Sequence, residues 1–148
     1  MTKLSKLIDM FWKWAGCAES WQGCDITQLP LDPLCFPQFE ELRSSCISLI
    51  NCALSYEELC AFLFCMALDT EEEDILDACK ELATNDFLQL LLSEGVFFPQ
   101  SETRWQMTEL IRKEIPDREY YLKILLNDSN AYVRKRAGNI AAQFEKTE

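Results

Sequence analysis

The 148-residue sequence contains no histidine. That absence removes the commonest general base, the usual triad and dyad geometries, and most zinc enzymes. Glycine is scarce as well: the four residues, at 16, 23, 95 and 138, are too scattered to form a phosphate-cradling loop. The longest apolar run, residues 59–68, is about half of what a bilayer span needs. Residues 1–16 carry Lys3, Lys6, Lys13 and Asp9 and lack both the apolar segment and the small-residue cleavage site of a secretory leader. Basic residues are missing from most of the chain. Residues 17–102 hold only Arg43 and Lys80 against seventeen acids, a net charge of −15, whereas residues 1–16 and 103–148 each carry +2, giving −11 in total. A long acidic middle lacks the basic footprint of general nucleic-acid binding. It suits a basic protein partner, whose encounter such a field speeds and orients.

What is present is the composition of a globular domain. Apolar residues make up 49% of the chain, and its length is enough to bury a core without staples in a single domain over residues 1–148. Eight cysteines, at 17, 24, 35, 46, 52, 60, 65 and 79, include no Cys-x-x-Cys pair of the kind a zinc site uses. With no leader expected, the thiols read as reduced and the protein as cytoplasmic. Cys46, Cys60, Cys65 and Cys79 fall among Leu, Phe and Ile, where a free thiol serves as a small core residue. No metal and no cofactor are expected.

The periodicity is helical nearly throughout. Residues 3–15 place Leu4, Leu7, Ile8, Phe11 and Ala15 on one stripe, with Trp12 and Trp14 beside it. Residues 16–37 then lose all period, with two glycines, three prolines, Trp21 and Phe36. Together, residues 1–37 read as an N-terminal helix and an aromatic loop that caps the rest. From residue 38 to 144 the chain reads as short helical hairpins, with helices over 38–53, 56–68, 70–83, 86–92, 103–115 and a closing pair over 120–144. Capping boxes are expected at Ser55/Glu58 and at Thr70/Glu73. Leu82 is expected to face inward, and the small pair Ala137 and Gly138 to let the last two helices approach closely.

Shifted by 59 positions, Leu122, Asp128, Ala137 and Ala141 of the closing hairpin fall on Leu63, Asp69, Ala78 and Leu82, within residues 55–83 and turn on turn. The turn residue Asp128, the pair Val133 and Arg134, and the small residue Ala137 give residues 120–144 a form that resembles a HEAT repeat. Over 55–83 the match is weaker: Asp69 is in place, but Ile75 stands where the arginine should be. The resemblance implies an all-α fold, an irregular HEAT-like α-solenoid of helical hairpins in one compact domain, and a polar ladder made by Asp128 and Arg134.

Two charged clusters stand out. Asp69, Glu71, Glu72, Asp74 and Asp77 form the candidate partner-binding face. Acids in a first helical turn also stabilise the helix by about 0.3–1 kcal/mol each, which accounts for Glu71 to Glu73 but not for the wider excess. The second cluster, Arg112, Lys113, Arg118, Lys123 and residues 134–136, would be the nucleic-acid surface of a HEAT-like repair protein. Successive residues on a helix point about 100° apart, so Arg134, Lys135 and Arg136 do not share one patch. With no catalytic set in view, the expectation is a non-enzymatic protein-binding module, in its sharpest form a small acidic immunity-type inhibitor that neutralises a basic protein such as a bacterial toxin. A general adaptor or regulatory subunit and a nucleic-acid-binding module are the alternatives.

Overall fold

The computed structural model of the chain describes residues 2–16, 26–29 and 31–147. Among the described residues, eight α-helices and two short 3-10 turns make up the regular structure, and no strand occurs. The fold is all-α. In chain order the helices are α1 (Lys3–Ala15), α2 (Phe39–Ile47), α3 (Tyr56–Leu68), α4 (Asp74–Leu82), α5 (Asn85–Gly95), α6 (Ser101–Thr108), α7 (Arg118–Leu126) and α8 (Ala131–Thr147). None is long and apolar enough to cross a membrane among the described residues.

Helix α1 starts where its sequence tells it to. The Thr2 hydroxyl accepts from the Ser5 amide, and Gly16, at φ 69°, closes the far end with its N–H on the Trp12 carbonyl. Leu4, Leu7, Ile8, Phe11 and Trp12 are all buried. Trp12 lies on Phe64 at 4.7 Å, while Trp14 and Phe11 both meet Phe36. One tryptophan therefore enters the core and the other packs on the described end of the 16–37 segment. Trp21, Cys17 and Cys24 lie outside the described residues.

Helix α3 is the centre of the molecule. The Ser55/Glu58 capping box forms in both directions, at 3.1 Å each way. Every residue from 59 to 68 is buried, because α3 packs on α1, α2, α4, α5 and α6. A helix apolar on all faces has no other stable place. Helices α1, α3, α6 and α8 follow one another in contact, with α2, α4, α5 and α7 packed beside them. Two buried polar side chains join α6 to α3: the Thr103 hydroxyl donates to the Leu63 carbonyl and the Gln106 amide to the Met66 carbonyl, both at 2.8 Å. The apolar core runs without a break from Leu4 to Ile140.

Several sequence expectations need correction. The helix expected over 38–53 stops at Ile47. Residues 48–52 turn instead, with Asn51 at φ 69°, and its side chain bridges to the end of α4, donating to the Leu82 carbonyl and accepting from the Thr84 amide. The Thr70/Glu73 capping box is absent. Glu73 adopts φ 57°, α4 begins at Asp74, and the carboxylate of Asp69 reaches forward to the Ile75 amide at 2.9 Å. Helix α5 is longer than the expected 86–92. Helix α6 starts earlier than expected and ends at Thr108, after which turns lead to Pro116. Leu82 is 55% exposed, not inward. The close approach is at Gly95, where a Cβ would sit 2.2 Å from the Met107 sulfur, whereas at Gly138 it would meet nothing within 4 Å.

Candidate functional site

The acidic stretch is organised by one arginine. Arg43 falls between Phe39, Leu42 and Cys46 on the buried face of α2 and is only 7% exposed. Its guanidinium pairs with Glu40 one turn back. It also reaches across to the α3–α4 turn, where it meets Glu72 at 2.6 Å, Asp74 at 3.2 Å and Asp69 at 3.5 Å. Its ring-facing side lies over Phe39. Burial opposes the charge, but Glu40, Glu72 and Asp69 outweigh it and hold the guanidinium above its ordinary pKa. Asp69 is 1% exposed. Burial pushes its carboxyl pKa up, against the opposing pull of the Ile75 amide and Arg43.

This geometry divides the five residues of the expected partner-binding face. Asp69, Glu72 and Asp74 are brought together, but around Arg43. Asp69 is a buried strut and not a contact residue, which corrects its expected place at the surface. Glu72 and Asp74 keep about half of their side-chain surface exposed. Glu71 and Asp77 are exposed and sit in none of the described ion pairs. The sequence signal that identifies Arg43 is its position: it sits three and four residues from apolar neighbours, on the edge of the α2 stripe, in a region with only one other base.

The expected Asp128–Arg134 ladder is also repartnered. The Asp128 carboxylate is held by Arg104 of α6, through Nε at 2.8 Å and Nη2 at 3.2 Å. The third guanidinium nitrogen of Arg104 donates to the Phe98 and Pro99 carbonyls. Arg134 instead donates to the backbone carbonyl of Asp128 at 2.7 Å. Arg43–Asp69 and Arg104–Asp128 are related devices. In each, an arginine on one helix meets an aspartate at or just past the end of the following helix, across 26 and 24 residues respectively. The first is a single contact at 3.5 Å, whereas the two-point fork of Arg104 on Asp128 fixes geometry as well as adding energy.

The C-terminal bases are largely occupied. Arg136 pairs with Glu109, lies over the Trp105 ring at 4.6 Å and donates to the Tyr132 hydroxyl. Partial burial pushes the Glu109 carboxyl pKa up, but Arg136 and Lys80 together outweigh it and hold the pKa below the ordinary value. Arg112 donates to the Lys80 and Ala83 carbonyls, and Arg118 packs over Phe144. Lys113, Lys123 and Lys135 are exposed.

Cys46, Cys65 and Cys79 are fully buried free thiols, and Cys60 is buried as well. Burial pushes the Cys79 thiol up to about 12. No group of three metal-ligating side chains occurs among the described residues.

Among the described residues, hollows open at the surface in two places that bear on the charged clusters. One, about 270 Å³, lies between the start of α1 and α2, with Lys3, Glu41, Ser44, Ser48 and Glu58 on its walls. The other, about 140 Å³, lies where Ile26, Thr27 and residues 32–34 meet the end of α3 and the start of α6, and carries Asp32, Glu71 and Glu102. Both are smaller than the ~300–1,000 Å³ of typical small-molecule sites.

The fold and these sites define the class only: an all-α array of packed helices, braced by arginine–aspartate pairs at Asp69 and Asp128. Compared with known proteins, the chain matches no family model, no curated protein and no solved structure.

Proposed function

We propose that the chain is a non-enzymatic protein-binding module of irregular HEAT-like hairpins that meets a basic protein partner through the acidic surface of residues 17–102. In its sharpest form it is an immunity-type inhibitor acting in the cytoplasm on a basic protein such as a toxin. The observation that carries this reading is the charge imbalance left after the internal pairs are assigned. Arg43 alone serves four carboxylates, and Lys80 is turned to Glu109. Glu57, Glu71, Asp77, Glu81 and Asp86 remain exposed, with no base from their own region beside them in the described ion pairs. A helical frame braced at Asp69 and Asp128 would hold such charges in fixed positions, which favours steering and register over raw affinity.

The test is a paired capture experiment. Wild-type protein and the triple reversal Glu71→Lys, Asp77→Lys and Glu81→Lys are immobilised, and lysate is applied at low and raised salt. A basic protein retained by the wild type, lost from the reversal and released by salt supports the reading. Retention that is indifferent to both perturbations sinks it.

A further inference from the structure

We propose that the smaller groove receives one basic side chain, arginine or lysine, from the partner protein. The proposal rests on the basic-partner reading above and names the contact at which it is made.

The groove mixes apolar and acidic walls. Ile26, Leu34, Ala67 and Leu68 supply apolar surface, the kind along which a lysine or arginine stem lies while its charged head stays in water. Asp32, Glu71 and Glu102 line it as well, no basic residue does, and none of the three carboxylates is in a described ion pair. Their other engagements are slight. One oxygen of Asp32 caps the Leu34 amide at 3.0 Å, and Glu102 has a long 3.4 Å contact from the Ser101 hydroxyl. The two bases of residues 17–102 are committed elsewhere. Arg43 is surrounded by Glu40, Asp69, Glu72 and Asp74, and Lys80 is on Glu109.

The backbone adds to the same field. Ala67 and Leu68 belong to the last turn of α3, and the C-terminal end of a helix is its negative pole and favours a cation. An acidic or phosphorylated ligand would meet three carboxylates and that pole, and is excluded. The hollow of about 140 Å³ is of the size of a single side chain. Glu71 is the member of the 71–74 run that this assigns: its neighbour Glu72 turns to Arg43, and Glu71 is left for the partner.

The experiment is a titration of the full chain with nona-arginine, followed by amide proton–nitrogen correlation spectra, beside a control peptide with citrulline at every position. Saturable shifts at Ile26, Leu34, Leu68, Glu71 and Glu102 are expected with the arginine peptide and none with citrulline. The Glu71→Gln, Glu102→Gln double variant, whose spectrum elsewhere reports an intact fold, is expected to bind about tenfold more weakly. Shifts centred instead on Asp77, Glu81 and Asp86, with affinity unchanged in the double variant, overturn the groove while leaving the basic-partner reading intact. No saturable shift anywhere overturns both.

Discussion

Replacing Arg43 with methionine keeps the aliphatic bulk beneath the guanidinium and deletes the one cation at the α2–α4 junction. The Asp69 carboxylate, 1% exposed, then loses its counter-charge, and Glu40, Glu72 and Asp74 face one another without a mediator. Breaking a buried pair from one side costs about 3–5 kcal/mol. Asp69→Asn is milder. An amide oxygen can still accept from the Ile75 N–H, and Arg43 keeps its other three carboxylates, so about 1–3 kcal/mol is expected. The double variant should cost less than the two single losses together, because each removes the same contact. The pH dependence gives an independent sign. An acid whose folded pKa is raised holds its proton more tightly folded than unfolded, so its contribution to stability falls as pH rises through that window. Removing Arg43 enlarges the rise at Asp69. The deficit of Arg43→Met is therefore largest near neutrality and shrinks as pH falls toward the carboxyl's ordinary 3.8. Urea unfolding at several pH values measures both effects. A loss below about 1 kcal/mol, or a deficit that grows on acidification, would refute the assignment of Asp69 as a buried strut held by Arg43.

Three further outcomes are expected. Arg104→Ala, which strips both guanidinium contacts from Asp128, should cost about 1.5–3 kcal/mol, whereas Arg134→Ala, losing one bond to a carbonyl, should cost about 1 kcal/mol or less in the same unfolding assay; the reverse order would restore Arg134 as the carboxylate's partner. Gly95→Ala drives a methyl into Met107 and should cost about 1–3 kcal/mol in a thermal melt. Gly138→Ala meets open space in a helix interior and should gain about 0.5–1 kcal/mol. At mildly alkaline pH an aromatic disulfide reagent should label Cys35 and Cys52, which are exposed, and leave Cys46, Cys65 and Cys79 unmodified until denaturant is added, as peptide mass analysis would show.

The helical periods were legible where one face alone was buried. Helix α1 follows from its stripe and caps, and α3 from a capping box and an apolar run too short for anything but a buried helix. Failures came where a side chain overrode the period. Nothing in the 48–53 pattern announces that Asn51 leaves the helix to bridge Leu82 and Thr84. Likewise, Thr70/Glu73 satisfies the capping-box rule locally, yet Asp69 takes the amide from further away. Gly138 looked like a contact because it is small and mid-helix. Space at a glycine is decided by what lies opposite, and Met107 lies opposite Gly95. The charged residues were visible as a cluster but not as a circuit. Pairing depends on which helices end beside one another, so Asp69 and Glu72 looked like surface acids, and Arg104 did not look like the partner of Asp128. The three carboxylates of the small groove come from sequence positions 32, 71 and 102, and they share one groove because the segment around Asp32 lies against the end of α3 and the start of α6.

The most direct measurement of the central claim is the affinity of the chain for a purified basic partner as a function of salt, compared between wild type and the Glu71, Asp77 and Glu81 reversal. Affinity in the wild type should fall steeply as salt rises, and the reversal should bind weakly at every salt with little slope. Equal affinity in both proteins, unmoved by salt, would contradict an acidic binding face.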